Sequence, residues 1–159
     1  MCIRDRSRAA LVIENGGGYD DFVDRMLANS STAGVVKINA VEVSGKKASA
    51  GDELNEHVWY DFPTVKKVIH RITAALSRVD PSKGSTFSAN AASLTEKIDT
   101  LEAREAQLKT KYSGEGASIT EPVPLYMLDA IGLVNRTPGE FSEAIEEDRD
   151  VSPLSLIHI

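Results

Sequence analysis

Phe87, Leu94, Leu101 and Leu108 recur every seven residues, with Ala91 and Ile98 between them. A stripe of that period belongs on a helix, and it predicts one continuous helix from about Ser85 to Tyr112. At 1.5 Å per residue the rod is roughly 40 Å long, more than one small domain needs. The stripe runs for only three heptads, and Glu105 interrupts it. A helix packed against two lobes and joining them is therefore expected, rather than a free coiled coil.

The flanking sequence supplies α/β material. Leu11-Val12-Ile13-Glu14 is a short apolar run that stops at Asn15-Gly16-Gly17-Gly18, the pattern of a strand ending in a glycine turn. Asp20 and Asp21 precede Phe22, Val23, Met26 and Leu27, which predicts a helix from about Tyr19 to Ala28. The β-branched run from Val35 to Val43 predicts a second strand. Residues 44–56 are expected to form a loop. Pro63 then opens a helix whose apolar residues Val65, Val68, Ile69, Ile72, Leu76 and Val79 share one face, and Asp80-Pro81 ends it. Beyond the rod, Ala117–Thr120 predicts a short strand, Leu125–Ile131 a helix stopped by Gly132, and Phe141 with Ile145 a last amphipathic helix.

Composition removes several classes of function. A formal charge of −6 disfavours a nucleic-acid partner, since phosphate binding needs a cationic face. Cys2 is the only cysteine, so no disulfide framework or cysteine-based zinc ribbon can form within the chain. No G-x-S-x-G or H-E-x-x-H motif is present, and no nucleophile with a paired base is identifiable; no catalysis and no catalytic cofactor are expected. Residues 1–8 and 154–159 resemble translated sequencing-adapter sequence and are expected to be non-native, with any export signal missing from the fragment.

His57 is the candidate for metal chemistry, and taken alone it reads equally as a surface histidine among solvated acids. It lies between a glycine-containing stretch and a helix start, with Asp52, Glu53, Glu56 and Asp61 near it in sequence. Neutral imidazole is the commonest protein ligand for zinc and suits other transition metals. Carboxylates beside it can ligate the same ion or orient the ring. His70 shares a helix face with Lys66, Lys67 and Arg71 and is expected in solvent.

Asn55-Glu56-His57-Val58-Trp59-Tyr60-Asp61 resembles the D-P-H-x-W-x-D segment of the solute-binding proteins of metal-specific ABC importers. The likeness continues in order. Residues 11–18 resemble the family's strand followed by N-G-x-G, and Pro63–Val79 with Asp80-Pro81 its next helix and D-P stop. Phe87–Asn90 is similar to Y-x-x-N at the start of the spanning helix, and Glu121 through Tyr126 to Gly132-Leu133 to H-x-x-x-x-Y-x-x-x-x-x-G-L. Asn55 and Glu56 depart from the usual Asp-Pro, and Glu121 from the usual histidine.

The resemblance implies a two-lobed α/β receptor with its lobes joined by a long rigid helix. It assigns residues 9–84 to the later part of the N-terminal lobe, 85–112 to the linking helix and 113–153 to the start of the C-terminal lobe. It makes His57 and Glu121 metal ligands, one from each lobe. Zinc or manganese would be the transported ligand, and the oxygen of Glu121 improves the case for manganese. The implied partners are the ion and an ABC permease, and the implied location is extracytoplasmic, in the periplasm or lipid-anchored. A monomer is expected. The family's first and last ligands fall outside residues 9–153, so this fragment is expected to bind metal weakly.

Two other readings compete. Gly16-Gly17-Gly18 between strand and helix, with Glu42 ending the next strand, gives partial dinucleotide-binding features, although Asp21 stands where the third glycine belongs. A helical interaction module would explain the heptad stripe but leaves the His57 segment without a purpose.

Overall fold

The structure is a computed structural model, and it describes residues 9–28, 34–48 and 54–151. The expected non-native ends, together with Asp52 and Glu53, lie outside the described residues.

β1 (Leu11–Glu14) and β2 (Val36–Asn39) pair in parallel, Leu11 opposite Val36 and Glu14 opposite Asn39. The buried Glu14 carboxylate accepts from Asn39 Nδ2 at 2.7 Å and pairs with Lys37 Nζ at 2.9 Å, so its charge is compensated at the strand end. Between the strands runs α1 (Phe22–Ala28), which starts later than the acidic pair predicts. The Asp20 carboxylate turns backward and accepts from Asn15 N at 2.7 Å and Gly16 N at 2.8 Å, which makes residues 17–21 a turn.

The strand expected over 35–43 is corrected: β2 stops at Asn39 and α2 (Ala40–Ser44) follows. The Asn39 side chain caps that helix by accepting from Glu42 N at 2.9 Å, while Val41 is buried. A cap and one buried contact outweigh the β-branched preference, which is a weak and context-dependent term.

α3 (Phe62–Val79) begins at its cap, Asp61, which accepts from Thr64 N at 3.0 Å. Asp80 N closes it on Leu76 O at 2.8 Å, and a single 3-10 turn, Pro81–Lys83, leads into α4 (Gly84–Tyr112). At 29 residues α4 is about 43 Å long, within one residue of the expected rod. The two helices pack side by side and antiparallel. Gly84 lies against Ser77, and Lys66 of α3 bridges Asp99 at 3.0 Å and Glu102 at 2.5 Å on α4. Ile98 is buried in this seam, whereas Leu94 and Leu101 are each 46 % exposed. His70 is exposed.

β3 (Gly116–Ala117) and β4 (Val134–Asn135) form a second parallel pair. The expected strand over 117–120 shortens because the Thr137 hydroxyl takes over from the ladder: it accepts from Ile119 N at 2.8 Å and donates to Ile119 O at 3.0 Å. α5 (Leu125–Ala130) packs on both α4 and the 3-10 turn Val58–Tyr60, and α6 (Gly139–Glu146) closes the described chain with Phe141 and Ala144 buried. Among the described residues, no helix is long and apolar enough to cross a membrane.

Candidate metal-binding site

His57 ends an irregular segment and directly precedes the 3-10 turn Val58–Tyr60. The residue is only 6 % exposed. Trp59 and Tyr19 meet its ring edge-on, with centroids 5.0 Å and 6.1 Å away. These rings wall the imidazole in, consistent with packing rather than cofactor stacking.

The amide of Asn55 holds the segment. Its Oδ1 accepts from His57 N at 3.0 Å and lies 2.7 Å from His57 Nδ1. Its Nδ2 donates to the Pro122 carbonyl at 3.0 Å. A carbonyl only accepts, so the amide nitrogen must face Pro122 and the amide oxygen must face the ring. Neutral His57 therefore carries its proton on Nδ1 and keeps a lone pair on Nε2. No hydrogen bond of the described residues uses Nε2.

Two further bonds brace this corner. Tyr126 Oη donates to Asn55 O at 2.6 Å, and Asn15 Nδ2 donates to Glu56 O at 2.9 Å. The segment after α4 and the turn after β1 thus both close on residues 55–57. Burial pushes the Tyr126 hydroxyl above its ordinary range, with the charges of Asp61, Glu56 and Asp129 adding to the rise. Lys46 sits over the Tyr126 ring, 4.2 Å from its centre, and pairs with Asp61 at 3.0 Å. For Asp61, burial acts upward. The hydrogen bonds from Thr64 and the Lys46 pair outweigh it and leave the carboxyl below its usual value.

One ligand atom each from Glu56, His57 and Glu146 lies within 4.8 Å of the others. One imidazole and two carboxylates form a donor set that zinc or manganese accepts. Glu56 stood among the acids near His57 in sequence. Glu146, the last residue of α6, gave no such signal; only the fold carries it there. Glu121 is exposed in the turn ahead of α5 and is not in this group, although its neighbour Pro122 is the residue bonded to Asn55.

The dinucleotide alternative loses its footing in the same place. The backbone N–H groups of Asn15 and Gly16 already donate to the Asp20 carboxylate, which occupies the position a phosphate would need.

Solved structures share this fold. The solute-binding protein FpvC from Pseudomonas aeruginosa in complex with Mn2+ matches with a TM-score of 0.70 at 21 % identity, over 98 % of this chain and 57 % of that one. Zn(II)-bound AdcA from Streptococcus pneumoniae matches with a TM-score of 0.69 at 21 % identity, over 84 % and 29 %. The metal-dependent lipoprotein YcdH from Bacillus subtilis matches with a TM-score of 0.70 at 18 % identity, over 92 % and 57 %. The chain thus spans a little over half the length of FpvC and of YcdH. Among curated proteins, none matches the chain in sequence. The family model described as zinc-uptake complex component A, periplasmic, ZnuA, matches residues 2–158, and the chain belongs to that family of solute-binding proteins.

Proposed function

We propose that this chain is the metal-recognising portion of an extracytoplasmic receptor that captures a divalent transition metal, zinc or manganese, and delivers it to an ABC permease. The role is capture and hand-over, with no reaction catalysed. The observation that carries the reading is the buried His57, its Nδ1 2.7 Å from Asn55 Oδ1 and 4.0 Å from Glu56 Oε2, its Nε2 without a hydrogen bond among the described residues, grouped with the carboxylates of Glu56 and Glu146. A buried imidazole with one bonded and one open nitrogen suits a ligand whose other nitrogen is held in place.

His57 supplies the nitrogen ligand. Glu121 is retained as an oxygen ligand alongside Glu146, because the Asn55–Pro122 bond holds the neighbouring residue against the His57 segment. The full receptor adds ligands that this chain does not supply, so the 159-residue chain binds weakly. The family description and the manganese and zinc ions bound by FpvC and AdcA support this cargo and an extracytoplasmic location.

Calorimetric titration of the 159-residue chain with zinc and with manganese tests the reading. Binding weaker than about 1 μM, abolished by His57→Ala, is the expected result. Zinc binding that His57→Ala leaves unchanged would overturn the assignment.

A further inference from the structure

Asn55 stands where three demands meet. Its side-chain oxygen accepts from His57 N and lies against His57 Nδ1, its side-chain nitrogen donates to the Pro122 carbonyl, and its own carbonyl accepts from the Tyr126 hydroxyl. The amide cannot turn over without setting its NH2 group against the His57 N–H and losing the Pro122 bond at the same time. Its orientation is therefore locked from outside the ring it serves.

We infer that Asn55 is a positioning residue: it fixes His57 in the Nδ1–H tautomer, presents Nε2 to the metal, and ties that presentation to the position of residues 122–126. The inference rests on the metal-capture reading for its purpose but not for its geometry. An imidazole without an acceptor at Nδ1 is free to place its proton on Nε2, and a protonated Nε2 cannot ligate. Asn55 removes that competing state before the ion arrives. It does so with a neutral amide, so no extra negative charge is added behind the ring. The dependence on Pro122 gives the contact a second consequence. When residues 122–126 move away, the amide keeps only the His57 N–H to set its direction, and the preference for the Nδ1–H tautomer weakens.

The test uses the 15N-labelled 159-residue chain at a pH where the His57 ring is neutral. Long-range proton–nitrogen spectra report which ring nitrogen carries the proton, and zinc titration of the same samples reports affinity. Wild type is expected in the Nδ1–H form. Asn55→Leu removes the nearer acceptor, leaving Glu56 Oε2 at 4.0 Å from Nδ1, and is expected to shift the ring toward Nε2–H and to lower zinc affinity by about 10–100-fold, the usual range for losing a partner that orients a ligand.

Asn55→Asp keeps an acceptor at Nδ1 while losing the bond to Pro122, and it is expected to retain the Nδ1–H form even if Asn55→Leu fails to fold. Tyr126→Phe breaks the neighbouring bond across the same junction and should leave the tautomer alone. A wild-type ring in the Nε2–H form, or an Asn55→Leu variant with wild-type tautomer and affinity, would overturn the inference. A wild type with the Nδ1–H tautomer and no zinc binding would instead sink the metal-capture reading and leave the tautomer assignment standing.

Discussion

A Cβ placed on Gly17 would lie 2.8 Å from the Cβ of Glu56 and 3.1 Å from Cγ2 of Val41. The turn after β1 is thus pressed directly onto the segment that carries the candidate ligands. Gly17 also has φ of +69°, a conformation that side chains with a Cβ resist. Gly17→Ala is expected to cost about 2 kcal/mol of stability and to weaken zinc binding by displacing Glu56. Gly18 has φ of +95° with open space around it, so Gly18→Ala isolates the backbone strain. Chemical denaturation and zinc titration of the two variants separate strain from displacement.

Glu121 and Glu146 are distinguishable as ligands. Glu146→Gln keeps the size of the side chain and removes its charge, and zinc affinity is expected to fall about tenfold. Glu121→Gln is expected to act in the same direction, and the double variant to fall further. An unchanged affinity in Glu121→Gln would leave Glu146 as the carboxylate that meets His57 from the later part of the chain.

Glu105 sits in the α4 stripe one heptad after Ile98, and its Oε1 is buried without a partner. Burial pushes its carboxyl above the usual value, and the nearby charges of Glu102 and Asp61 add to the rise. The folded state therefore holds this proton more tightly than the unfolded state does. That contribution favours folding in acid and is lost as pH rises through the raised value. Glu105→Leu completes the stripe and removes an unsatisfied acceptor, and at neutral pH it is expected to stabilise the fold by about 1 kcal/mol. The gain should shrink as the solution becomes acidic, which thermal melts across pH would show.

Asp61 behaves in the opposite sense. Despite the upward push of burial, its bonds to Thr64 and Lys46 hold the folded-state value below the ordinary 3.8. Its contribution is present above the unfolded value and disappears as pH falls through the lowered one. Asp61→Ala removes the α3 cap at a cost of about 1 kcal/mol at neutral pH. The penalty should fade in strong acid, where the wild-type carboxylate is itself protonated. A penalty independent of pH would show that the cap acts without its charge.

Much of the helical frame was legible from spacing. The α3 stripe and the α4 heptads report neighbours three and four residues apart on one surface, a relation local sequence encodes directly. Local preference failed where a distant group intervened. Val35 to Val43 looked extended, yet the Asn39 cap and the burial of Val41 turned its second half into α2. Asp20 looked like a helix-start acid, yet its carboxylate found two backbone N–H groups behind it.

The sequence by itself determined that an imidazole would stand among acids at the mouth of a helix, and that a long rod would follow. Only the tertiary structure decided which carboxylates gather at that imidazole and which of its nitrogens meets Asn55. Glu146 reaches the site through the packing of α6, which no local pattern records. The ring's tautomer depends on where the Pro122 carbonyl comes to rest, because that oxygen and the His57 N–H together set the direction of the Asn55 amide. Hydrogen bonds between remote groups carry direction as well as distance, and direction exists only once the chain has folded.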